Sequence, residues 1–150
     1  MNHPPAKAAR SVRCTLLAAC VLAWVGAFVA THLPPKYVSG LPTSDTVAHA
    51  IGYGGLATLL ILALASLGRS RGVRILLAMG ILLAYGALDE LTQPMFHRFA
   101  EFSDWLADAA GTSIAVAFWE TFLAVLSSAR KRSYSARERS HPARSRINDK

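Results

Sequence analysis

The chain has 150 residues, of which 53% are hydrophobic and only 17% charged, and it carries a formal net charge of +7. That excludes an ordinary soluble domain, because the apolar residues are gathered into four long runs with no polar face to meet water. With only two cysteines, a disulfide scaffold and a Cys-rich metal site are excluded as well.

Residues 1–11 form a polar N-terminal segment. The first apolar run covers 12–31. Basic residues precede it, as in a signal peptide, but it is longer than the usual apolar core of one. No A-x-A cleavage site precedes Pro34, so the run is read as a retained span. Cys14 and Cys20 sit in it about 240° apart on a helix; they cannot pair and read as buried apolar filler. Pro34 and Pro35 stop the helix, and a Pro-, Gly- and Ser-rich loop follows. Ser44 or Asp45 caps a second helix, whose span is 47–67. Gly52, Gly54 and Gly55 near its start allow close helix contact. The turn Gly68-Arg69-Ser70-Arg71-Gly72 is short, which makes the second and third helices antiparallel neighbours. The third span, 73–92, gives way at Pro94. Ser103 or Asp104 caps the fourth, 105–127, with Gly111, Ser113, Ala115 and Ala117 as a small-residue face. Each run is about 19–22 residues, the length that crosses a hydrocarbon core of about 30 Å. The predicted fold is an all-α membrane protein: a four-transmembrane-helix bundle over 12–128 with short loops. A basic, disordered C-terminal tail follows over 129–150.

Charge predicts the orientation. Lys7, Arg10 and Arg13 open the first run, and Arg69, Arg71 and Arg74 fill the turn. Arg130, Lys131, Arg132, Arg137, Arg139, Arg144, Arg146 and Lys150 follow the last run. Only Lys36 and Arg98 remain for the other side. The positive-inside rule then puts both termini in the cytoplasm of a multi-pass protein of the bacterial inner membrane. The net charge is this asymmetry and the tail, and it is no nucleic-acid signal.

Ionisable residues are costly in a span, and here they gather at the opposite, outward side. Asp45, His49 and Tyr53 repeat every fourth residue and make one stripe on the second helix. Asp89 and Gln93 repeat the spacing on the third, with Glu90 one step round. Asp104 and Asp108 repeat it on the fourth, with Gly111 a turn further on. Arg98, between them, is the strong cation available to balance these acids. Simpler roles compete: Asp45 and Asp104 as caps, and Tyr53 as an interfacial belt residue like Tyr37 and Trp105. Weighing these leaves His49, Asp89, Glu90, Arg98 and Asp108 as the functional core. Together the residues predict an outward cavity lined by His49, Tyr53, Asp89, Glu90, Gln93, Arg98, Asp104 and Asp108.

The ordered set Asp45-x3-His49-x3-Tyr53, then Asp89-Glu90-x2-Gln93, Arg98, and Asp104-x3-Asp108-x2-Gly111 resembles the signatures of the VanZ-like family. These are small bacterial integral membrane proteins named for a protein linked to low-level resistance to the glycopeptide teicoplanin. The match runs from about 44 to 115. The resemblance implies a cell-envelope role and a ligand site at the residues just quoted, but no established reaction. The commoner form has a Pro-Gly turn before the arginine, where this chain has Pro94-Met95-Phe96-His97. The position of Asp108 is often Asn in that family.

Three functions are open on these residues. In the first, the pocket binds or modifies a lipid headgroup or a lipid-linked cell-wall precursor, with Arg98 as the anion contact and with an effect on glycopeptide susceptibility. In the second, an outer-leaflet enzyme uses His49 with Asp89 or Glu90 as an acid/base pair or a metal site. The third is a proton- or cation-coupled carrier; a single four-helix unit is small for that, and an oligomer would relieve the objection. Membrane lipids are the expected partners. No metal motif such as H-E-x-x-H is present, and the sequence names no cofactor.

Overall fold

A computed structural model describes residues 6–33 and 44–140. Four helices account for almost all of them: α1 Ala6–His32, α2 Asp45–Ser66, α3 Arg71–Thr92 and α4 Phe102–Ser140. A 3-10 turn, Gln93–Phe96, follows α3. All four helices are long and apolar enough to cross a membrane.

Three ends fall where local chemistry puts them. Ser44 is the N-cap of α2, its hydroxyl accepting from the Val47 amide at 3.3 Å. At the other end, the Gly68 amide donates to Ala65 O and the Arg69 amide to Leu64 O. That double bond pattern needs a left-handed residue, and Gly68 supplies it at φ 72°. The short turn that results is braced by Arg74, which donates to Arg69 O at 2.7 Å. Pro94 ends regular helix after Thr92 and begins the 3-10 turn.

Three ends fall elsewhere. The first helix starts at Ala6 rather than Val12, because Ala6 to Arg10 are strong helix formers. The last starts at Phe102, before the expected caps Ser103 and Asp104, and its first bonds run to Glu101 O. It also continues past 127 to Ser140, since Ala129 to Ala136 contains no Gly or Pro to break it. Residues 141–150 of the expected tail lie outside the described residues, as do Tyr37 and most of the 32–44 loop.

The chain divides into two compact units, Met1–Ala117 and Phe118–Lys150. In the second, Phe118, Trp119 and Phe122 form an aromatic cluster, with Trp119 edge-on to both phenylalanines. In the first, the core is Leu56, Ala57, Ile61 and Ala63 of α2 with Ala78 and Leu82 of α3. The start of α4 crosses α2 closely. A Cβ added to Gly111 would fall on the Ala50 carbonyl oxygen and 2.8 Å from its carbon, so glycine is required there. Of the three glycines near the start of α2, only Gly54 meets a neighbour, the Gly111 carbonyl; Gly52 and Gly55 face open space. The buried face of α4 is Asp104, Ala107, Asp108, Gly111, Thr112 and Val116. Ser113 and Ala117, expected to share the small-residue face, lie off this 3.6-residue period and are exposed. Cys14 is also exposed and Cys20 half-buried, both as free thiols, so neither is buried filler.

Candidate functional site

The end of α1, the start of α2, the end of α3 and the start of α4 meet at one end of the first unit. The turn bearing Arg69, Arg71 and Arg74 joins the opposite ends of α2 and α3. At the shared end lie His49, Asp89, Glu90, Gln93, Asp104 and Asp108, all buried, and below them Tyr53 at 2% exposure. Apolar surroundings make such burial costly unless each group is bonded, and most of them are.

His49 is the hub. Its Nδ1 lies 3.0 Å from Asp108 Oδ1, and its Nε2 lies 3.9 Å from Asp104 Oδ2. An ionised carboxylate only accepts, so Nδ1 is the donor in the contact with Asp108. Asp104 is fixed from its other oxygen by Thr46, whose hydroxyl donates at 2.9 Å. Asp104 therefore belongs to the cluster and is not a cap. The imidazole's hydrogen-bonded acid is Asp108, not Asp89 or Glu90 as the sequence suggests. Even so, one ligand atom each from His49, Asp89 and Glu90 fall within 4.8 Å of one another, and the same holds for Asp45, His49 and Asp104.

The two acids of α3 are held by neutral donors. Glu90 accepts from Gln93 Nε2 at 3.1 Å and from the Glu101 amide at 2.7 Å. Asp89 accepts from the Thr31 hydroxyl at 2.8 Å and stands 3.6 Å from His32 Nδ1. His32 also reaches the Thr92 hydroxyl at 2.9 Å and packs between Phe28 and Phe96. Thr31 and His32 are thus site residues that sequence reasoning missed. The available signal was a polar pair at the end of an apolar run, at the same level as the other polar stripes.

Arg98 balances one of the acids, as expected, and does so at the rim. Its guanidinium pairs with Asp45 at the rim, the acid remaining 55% exposed. The approach is set by His97, which takes a left-handed conformation at φ 62° and turns the chain after Phe96. Arg98 is therefore a rim clamp between the α3–α4 connection and the start of α2, seated on the exposed acid of the set. Asp45 shares that rim position and caps nothing, since Ser44 is the cap.

Below the acids lies a column of rings. His49 and Tyr53 are near-parallel with centroids 6.4 Å apart, Tyr53 and Tyr85 follow at 5.8 Å, and Tyr85 and Trp24 at 4.7 Å. Tyr53 is an interior residue and no belt anchor. Trp105 half-fits that description: its indole N–H donates to Leu83 O at 3.1 Å while Phe102 stacks on its ring.

A cleft of about 330 Å³ opens beside the cluster, lined by Ala87, Glu90, Leu91, Ala100, Glu101, Phe102 and Trp105. Of the residues expected to line a cavity, Glu90 alone lines this one. His49, Tyr53 and Asp108 are buried and do not line it. The cleft surface is apolar, the Glu90 carboxylate being engaged by Gln93 and the Glu101 amide, and Leu91 and Phe102 stand exposed at its margin.

The sequence matches no protein-family model and has no significant match among curated proteins or solved structures.

Proposed function

We propose that this chain is a VanZ-like protein of the bacterial inner membrane, and that its polar end faces outward and binds or modifies a lipid headgroup or lipid-linked cell-wall component. The observation that carries the reading is the buried acid–histidine cluster beside an apolar cleft that ends at Glu90. A lipid offers a partner for each: a chain for the apolar cleft and a polar group for the neighbouring acid cluster. The basic turn 69–74 lies at the far end of the same helices, and with the basic tail it supports cytoplasmic termini. An effect on glycopeptide susceptibility belongs to the same proposal.

The deciding experiment compares envelope lipids from cells expressing wild type and Asp89→Asn at equal levels. An altered or accumulated headgroup species that depends on Asp89 supports the reading; identical lipid profiles and equal lipid retention by the two purified proteins would sink it. Orientation is checked with an Ala100→Cys variant. Labelling by an impermeant maleimide from outside intact cells is expected, and labelling only after lysis reverses the topology.

A second reading, an outer-leaflet enzyme, is favoured by one specific contact. A carboxylate on Nδ1 of a buried imidazole orients the ring and leaves Nε2 as a base, which is the arrangement of Asp108 and His49. In that case His49→Ala abolishes formation of a new lipid product, whereas a binding protein loses retained lipid and never makes one.

A further inference from the structure

Four carboxylates surround His49 in burial: Asp89, Glu90, Asp104 and Asp108. Among the described residues their contacts are with Thr31, Thr46, Gln93, the Glu101 amide and the two histidines. Neutral donors fix the position of a carboxylate without discharging it. Several acids held this way in low dielectric call for a cation.

Acids alone do not make a site, but two further groups point into this one. Asp108 is fully buried, with Oδ1 on His49 and, among the described residues, no partner for Oδ2. That oxygen is turned to α3, where a Cβ on Gly86 would lie 2.9 Å from it. Asp89 and Glu90 continue the same face of α3, three and four residues on. The Tyr53 hydroxyl, one turn along α2 from His49, is also buried and has no partner among the described residues. Orphaned oxygens of this kind mark the place of an ion or ordered water.

We propose that His49, Asp89 and Glu90 bind one divalent transition-metal cation of the Zn²⁺ or Mn²⁺ class. The inference rests on the reading of this end of the protein as a ligand site. Imidazole plus carboxylates is the donor set of those ions, and no thiolate is at hand to prefer softer ones. Asp108 is a positioning residue: it holds Nδ1–H so that the other ring nitrogen is free for the metal, as acids behind ligating histidines do. Three protein ligands leave coordination positions open. The ion would turn an acidic pocket into an acceptor for a phosphate group, which accounts for an anionic headgroup at a site whose arginine is occupied by Asp45.

The test uses the full chain in detergent, without a polyhistidine tag, stripped with chelator and titrated with MnCl₂ under electron paramagnetic resonance. Saturable loss of the free-ion signal at about one equivalent per chain is expected, reversed by ZnCl₂, with nitrogen modulation from one imidazole on the bound ion. His49→Ala removes the nitrogen modulation. Asp108→Asn keeps it and weakens binding about tenfold to a hundredfold. Arg13→Gln, at an exposed position on the first half of α1, leaves both unchanged. No saturable binding by wild type, or binding without nitrogen modulation, overturns the proposal whether or not the variants fold. So does binding that is unaltered in both Asp89→Asn and Glu90→Gln. Because the titration contains no lipid, its failure leaves the lipid comparison standing. A failed lipid comparison with intact Mn²⁺ binding instead strikes the headgroup reading alone.

Discussion

Along α2 the buried face changes character at Leu56. Nearer the N-terminus it presents His49 and Tyr53; from Leu56 on it presents Ala57, Ile61 and Ala63. The antiparallel α3 mirrors this, apolar at Ala78 and Leu82, then polar at Asp89 and Glu90. The two halves are held by different forces. Lipid tails are as apolar as isoleucine, so the apolar half gains only from packing. The polar half cannot be turned to hydrocarbon without exposing acids, and it therefore dictates which helix ends meet.

That contrast can be broken or sharpened by substitution, with stability followed by unfolding in mixed micelles. His49→Ala should do most damage, about 3–5 kcal/mol, because Asp108 loses its donor and stays buried. The double variant His49→Ala/Asp108→Ala should then cost less than the two single losses added together. A single loss no larger than that of an apolar trim would erase the distinction between the halves. Gly111→Ala comes next, at about 1–3 kcal/mol, since its Cβ meets backbone that cannot give way. Ile61→Val, a fully buried trim in the apolar half, should cost about 0.5–1.5 kcal/mol. Smallest is His97→Gly, expected to gain less than about 1 kcal/mol. Relief of the left-handed strain is partly cancelled by the freer unfolded chain. A clear loss there would show that the imidazole has a contact worth more than the strain.

Much of this architecture could be read from the chain. The four apolar runs mark the helices, and the fourfold spacing of Asp45–His49–Tyr53 and Asp104–Asp108 places those residues on facing stripes. The pairing of His49 with Asp108 was not legible, because spacing gives the face of a helix but not its rotation against a neighbour. Asp104 looked like a cap for the same reason: a helix start and a buried acid share one sequence signature. Which acid Arg98 would take was not legible either, because its direction depends on the positive φ of His97, a residue other than glycine. Thr31 and His32 were passed over because a polar pair before two prolines reads simply as the end of a helix.

The reach of the site into α1 and α4 bears on how the protein is made. His49 emerges from the ribosome long before Asp108, and Thr31 and His32 long before Asp89. Each early helix must enter the bilayer with a polar group whose partner has not yet been synthesised. The cluster closes only when the last helix arrives, so delivery of α4 is the step that converts four separately inserted segments into a finished site.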